Sequence, residues 1–309
     1  VMSKKMLVRL LADPGLPTRR LARLLLRCAG LRPPSEPFIS GDTFRNVASH
    51  LFDETKKVRV SELQPGDIVF CSGDFLQEFS EVILEQVTVP LLVILGNSDR
   101  NHSRSNWPID DSGLPHQFFV QNLMDEIPGC EPIPIGLENR HWQNVGRPRD
   151  FSNSRRKSRT NRIMWSFTVR TNKPLRKVAE RELRENPLAV NIGEVSPSAH
   201  RRALSSDSFV ACPPGNGWDT HRTWEALYLG CIPIVLDSFF ARTFLELGVP
   251  IWIVETYSEL LGLTEQDLET NYRELSGRLD SPLLRFDFWS QSLQERSQSI
   301  RESFKELPD

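Results

Sequence analysis

A chain of 309 residues, 39% hydrophobic and 25% charged, is long enough for two ordinary cores and shows no sign of wholesale disorder. Its 38 Lys and Arg against 40 Asp and Glu leave a net charge of -2, which argues against a nucleic-acid partner. Five scattered cysteines (Cys28, Cys71, Cys130, Cys212, Cys231) form no C-x-x-C pair, which excludes a disulfide framework or structural zinc and points to a reducing, cytoplasmic compartment.

Residues 1–35 form a basic segment. Over residues 1–32 there are eight Lys or Arg against one Asp, with Leu21, Leu24, Leu25 and Leu26 interleaved among Arg19, Arg20, Arg23 and Arg27. No run reaches a membrane-spanning length, so the segment either packs its leucines on the body or lies peripherally on an anionic membrane surface.

From 36 to 145 short apolar runs alternate with helical patterns. Strands are expected at 38–40, 67–71 and 90–95, with weaker ones at 118–121 and 132–135, and helices at 43–52 and 75–86. Unbroken aliphatic strands separated by helices predict a parallel, Rossmann-like sheet covered on both faces. Three strands end in a small polar turn and an aspartate: Asp42, Asp74 and Asp99. The carboxyl ends of such strands line a ligand crevice, where a carboxylate can take a proton from a hydroxyl nucleophile. Asp42 and Asp99 are the candidate bases; helix capping is the competing role for Asp42 and Asp74. The polar loop 96–116 offers Trp107 as a stacking surface and Asn101 and His102 as hydroxyl partners for an acceptor sugar. No His or carboxylate pair has metal-ligand spacing, so no metal is expected.

Residues 146–160 read as a basic interdomain linker, and 161–287 as a second Rossmann-like domain. A terminal helix over 288–309 is expected to cross back onto the first domain. Within the second domain, 209–212 is a strand that stops at Pro213-Pro214. Gly215-Asn216-Gly217 supplies a turn, Asp219 or Thr220 a cap, and a helix runs on toward Leu229 before the strand 232–236. Helical spacing puts Trp224, Leu227 and Tyr228 on one face and His221, Arg222 and Glu225 on another. The second face either carries a surface ion pair or reaches a bound diphosphate and ribose. Asp237-Ser238 points at the same crevice.

The residues Cys212 to Gly217, Asp219 to Arg222, Trp224 to Leu227 and Gly230 to Pro233 resemble the donor-binding region of exostosin-like glycosyltransferases. The likeness covers roughly thirty residues, and GT-B fucosyltransferases match less closely. It implies a GT-B protein, α/β, with two Rossmann-like parallel-sheet domains facing a central cleft. The implied reaction is inverting transfer of a sugar from a nucleoside diphosphate, UDP, to a glycan hydroxyl, in polysaccharide or glycoconjugate synthesis, with a lipid-linked acceptor as one option. By the same resemblance Glu225 holds the donor ribose. Arg222, His221, Gly215, Asn216, Gly217, Thr220 and Arg170 surround the diphosphate, and no cofactor is needed beyond the nucleotide-sugar substrate. The alternative is a non-catalytic module that keeps the pocket and serves an active transferase. A dinucleotide fingerprint is excluded because Thr220 stands where its third glycine belongs.

Overall fold

The computed structural model describes residues 32–108, 113–143, 146–152 and 158–305; most of the basic amino-terminal segment and part of the expected linker lie outside the described residues. Among the described residues ten strands form two five-stranded sheets in which every strand pairing is parallel. The first contains β1 (His50–Phe52), β2 (Ile68–Ser72), β3 (Leu92–Gly96), β4 (Gln117–Gln121) and β5 (Cys130–Ile133), in that order. The second contains β6 (Thr160–Trp165), β7 (Ala189–Asn191), β8 (Asp207–Ala211), β9 (Ile232–Leu236) and β10 (Trp252–Val254), in the order β10-β9-β8-β6-β7. Two Rossmann-like units of this kind, joined across a cleft, make the GT-B architecture.

The aliphatic runs explain the layering. Along β2 and β3, Ile68, Phe70, Leu92 and Ile94 enter one apolar cluster while Val69, Cys71, Val93 and Leu95 enter another, so both faces are buried. The first cluster continues without a break into the core of the second unit. At the junction the Phe38 and Tyr228 rings lie 4.6 Å apart, and the Ile39 N–H donates to the Tyr228 hydroxyl at 3.2 Å. The two units therefore share one core.

The longer helices are α1 (Gly41–Val47), α2 (Lys173–Glu185), α3 (Pro197–Ser206), α4 (His221–Tyr228), α5 (Phe239–Glu246), α6 (Glu265–Ser276) and α7 (Phe286–Lys305). Helix α7 buries Trp289, Leu293 and Ile300 and lies on the first unit. Its first turn meets Phe44 at 5.4 Å through Phe286, and Ser297 Oγ donates to the Gly66 carbonyl at 2.6 Å. No described helix is long and apolar enough to cross a membrane.

Several expectations are corrected. The helix expected over 43–52 ends at Val47, and His50–Phe52 pairs with β2 as an edge strand, its Phe52 packed on Phe79: tertiary pairing overrides a local helical pattern. Residues 73–84 form three short turns of differing pitch in place of one helix. The strand expected at 38–40 reduces to Ser40 bridging Gly136 and Leu137. Asp237 pairs with Arg242 at 2.5 Å, and Ser238 caps α5.

Close approach of the units constrains Gly217. A Cβ there would fall 2.6 Å from Asn122 Nδ2, and that amide is held by its Oδ1 accepting the Asp219 N–H at 2.9 Å. Gly217→Ala is expected to cost about 1–3 kcal/mol in urea unfolding through overpacking. Gly262→Ala, whose Cβ would meet nothing within 4 Å, should stay within about 0.5 kcal/mol.

Candidate functional site

Strand β8 ends at Ala211, and the chain turns at the carboxyl edge of its sheet before entering α4. Two side chains, Arg176 from α2 and Asn172 at its N-cap, shape that turn. Arg176, buried to 8% exposure, donates to the carbonyls of Pro214 at 2.8 Å and Thr168 at 3.0 Å, and Asn172 Nδ2 donates to the Gly215 carbonyl at 2.9 Å. A Cβ at Gly215 would lie 3.1 Å from the Arg176 guanidinium, a tight contact. Thr220 stands at the N-cap of α4 but makes no side-chain cap bond; its carbonyl accepts the Thr223 N–H at 3.0 Å, and the His221 and Arg222 N–H groups lead the helix toward the turn.

Asp219 does not cap the helix. Its carboxylate accepts the Ile135 N–H at 2.7 Å and Trp224 Nε1–H at 2.8 Å, at 2% exposure, and so fastens the start of α4 to the loop after β5. Burial pushes its carboxyl up to about 7, against the opposing pull of the Ile135 and Trp224 hydrogen bonds.

Helix α4 presents two faces, as its spacing predicts. Trp224, Leu227 and Tyr228 are buried, while His221, Arg222 and Glu225 are half-buried. Among the described residues Arg222 and Glu225 form no ion pair. Arg222 Nε is buried without a hydrogen-bond partner, and burial raises the Glu225 carboxyl despite the nearby Arg222, His221 and Arg201 cations. His200 completes this wall; burial first, then Arg222 and Arg201, pushes its imidazole down to about 4, so it is neutral at pH 7. His221 Nδ1 lies 2.8 Å from the Gly136 carbonyl and donates to it, and its Nε2 lies 3.7 Å from Glu138 Oε1. Arg170 stands exposed in the short turn Val169–Asn172, beside the Gly215 loop.

The facing wall comes from the first unit. A cavity of about 410 Å³ is lined by Asp74, Asn97, Asp99, Gln121, Glu138 and His221, among others. Asp99 is exposed and accepts from Asn216 Nδ2 at 2.9 Å; Asn101 Oδ1 accepts the Trp218 N–H at 3.3 Å. These two predicted residues thus reach the Gly-rich turn of the second unit.

Other predicted residues are placed elsewhere. Asp42 is fully buried; its Oδ2 lies 2.6 Å from His141 Nδ1 and its Oδ1 accepts from Asn97 Nδ2 at 3.2 Å, so neither oxygen faces the cleft. It is not the helix cap either, because Ser40 fills that place. Trp107 sets its ring edge-on to Phe118 at 5.2 Å and to His102 at 6.1 Å, against the apolar cluster on the far face of the first sheet, which corrects its reading as a sugar platform. His102 is corrected likewise: it is 4% exposed and pushed down to about 4 by burial and Arg100. An aromatic ring inside a polar loop was free to turn inward, and both rings did.

Sequence reasoning missed Asn97, Asn122, Glu138, His141 and Arg176. One signal was available for the first two. Asn97 and Asn122 follow strands in left-handed backbone, φ 52° and 56°, a conformation that asparagine tolerates better than most residues and that aims the side chain back over the strand end.

No family model matches the chain, and no curated protein matches it. Among solved structures the chain is similar to TarM, at 11% identity and a TM-score of 0.44, covering 78% of this chain and 57% of that one. It is similar at 9% identity and 0.43 to an S. aureus TarM mutant in complex with fondaparinux, alpha-GlcNAc-glycerol and UDP, covering 78% and 58%. A GtfA/B complex follows at 13% identity and 0.36, covering 77% and 59%. The chain thus spans less than two thirds of the length of these three structures.

The raised Asp219 carboxyl has a pH consequence. A folded-state value above the unfolded one means that its contribution to stability is complete below about pH 4 and is lost as pH rises through about 7. Asp219→Asn removes that titration. Urea midpoints measured from pH 4 to 8 should fall with rising pH less steeply in Asp219→Asn than in the wild type; equal slopes would mean that the carboxyl does not titrate in this window.

Proposed function

We propose that this chain is a glycosyltransferase that moves a sugar from a nucleoside-diphosphate donor, UDP, to a glycan hydroxyl. The observation that carries the reading is the pair on α4: a buried arginine nitrogen without a partner and a desolvated carboxylate one turn on, directly after a glycine turn at a strand's carboxyl edge. Such an arrangement asks for a ligand with both anionic oxygens and neighbouring hydroxyls, which a nucleoside diphosphate supplies.

Arg222 and the first-turn amides of α4 neutralise the diphosphate, Gly215 lets the backbone approach it, and Arg170 closes over it from the neighbouring turn. Glu225 accepts hydrogen bonds from the ribose hydroxyls. On the opposite wall Asp99 takes the proton of the acceptor hydroxyl. The acceptor oxygen attacks the anomeric carbon as the bond to the diphosphate oxygen breaks, and the nucleotide leaves with the electron pair. A single displacement of this kind inverts the anomeric centre. Asp42 serves by holding Asn97 and His141 beneath the cleft, not by touching the acceptor.

Calorimetry with UDP is expected to give a saturable isotherm for the wild type. Arg222→Ala or Glu225→Ala should weaken it about 10- to 100-fold, the scale of a lost charge-assisted hydrogen bond. UDP binding that survives both substitutions unchanged would sink the site. Asp99→Asn is expected to keep UDP affinity and lose about 10²- to 10⁴-fold in turnover, the usual contribution of a general base. Turnover unchanged in Asp99→Asn would remove it as the base.

A further inference from the structure

The cavity on the first unit's side of the cleft has a chemistry that limits what enters it. Three carboxylates line it, Asp74, Asp99 and Glu138. Three carboxamides stand among them, Asn97, Gln121 and Asn139, with Ser98 and His221 adding a hydroxyl and an imidazole. Among the described residues no Lys or Arg lines it. Arg100 lies 3.4 Å from Asp74 in an exposed pair, and Arg32, in the adjoining cavity that Asp74 and Asn97 also line, is paired with Glu54. The cations of the cleft are instead gathered on the second unit, at Arg222, Arg176 and Arg201.

The carboxamides are fixed in place. Asn139 Nδ2 donates to Asn97 Oδ1 at 2.8 Å, Asn97 Nδ2 donates to Asp42 Oδ1 at 3.2 Å, and Gln121 Nε2 donates to the Ser98 carbonyl at 2.7 Å. A wall of oriented carboxamides and carboxylates suits a ligand that is rich in hydroxyl groups. The same carboxylates repel an anion, and no Lys or Arg of the described lining offsets them.

We infer that the acceptor is an uncharged glycan end, a neutral pyranoside, and that uronic-acid, sulfated and phosphorylated acceptors are rejected by the wall formed by Asp74, Asp99 and Glu138. The inference rests on the transferase reading for the word acceptor, but the cavity's preference for neutral over anionic sugars is a property of the wall itself.

Saturation-transfer NMR tests it with matched pairs, methyl glucoside against methyl glucuronide and methyl galactoside against methyl galacturonide, each with and without UDP. The neutral member of each pair is expected to bind at millimolar concentration at least about tenfold more tightly than its uronate. Raising the salt should narrow the gap, and Glu138→Gln should narrow it further by relieving the repulsion. Uronates that bind as well as their neutral partners would overturn the inference, as would the absence of saturation transfer to any neutral glycoside. Failure of the donor reading shows separately, as no UDP binding by calorimetry, and the arms run without UDP still judge the cavity.

Discussion

The geometry of the cleft hangs on one buried carboxylate. Asp219 accepts an amide of the first unit, Ile135 N–H, and the indole of its own helix, Trp224, while its N–H donates to Asn122 Oδ1 across the cleft. Removing the carboxylate would leave two buried donors unpaired, and such donors are costly to leave unmade. The same residue fixes where α4 begins. Because α4 carries Arg222 and Glu225, the interdomain seam and the ligand-facing wall are set by one side chain. The shared apolar core does the rest: Phe38, Phe151 and Tyr228 pack across the junction, so the units meet over a surface and not at a hinge point.

Much of the fold was legible. The strands at 209–212 and 232–236 and the two faces of α4 follow from apolar continuity and helical spacing, and the structure moves their ends by at most two residues. The runs that failed are those in which local pattern competes with pairing. Residues 43–52 read as one amphipathic helix, yet the last three pair beside β2 because Phe52 finds its partner, Phe79, only in that position. Local spacing cannot register such a partner.

The candidate site was legible in a different measure. Helix periodicity grouped His221, Arg222 and Glu225 because those three are close in sequence. Whether a side chain turns inward from a loop is decided by tertiary space, which is why Trp107 and His102 read as cleft residues and are core ones. Asp42 illustrates the same limit. Its position after a short apolar run is the position of a crevice carboxylate, but its partner His141 lies far along the chain, and only their juxtaposition shows that the pair is internal. Asp219 was assigned to capping on the same local logic, when its partner was an amide of the other unit.

The charges of the cleft are segregated. Arginines and the first amides of α4, with Glu225 as the one carboxylate named among them, occupy the wall of the second unit, and carboxylates with carboxamides occupy the wall of the first. A displacement at carbon needs this asymmetry. Negative charge grows on the departing oxygen, where positive groups lower its energy, and a proton is shed on the attacking side, where a carboxylate accepts it. A cleft with mixed walls would stabilise both ends of the reaction less, since each cation near the attacking hydroxyl would depress the basicity that the attack requires. The link from Asn216 to Asp99 at 2.9 Å runs directly between the two walls. In the proposed transfer, a diphosphate at the glycine turn would act on the carboxylate opposite through that one hydrogen bond.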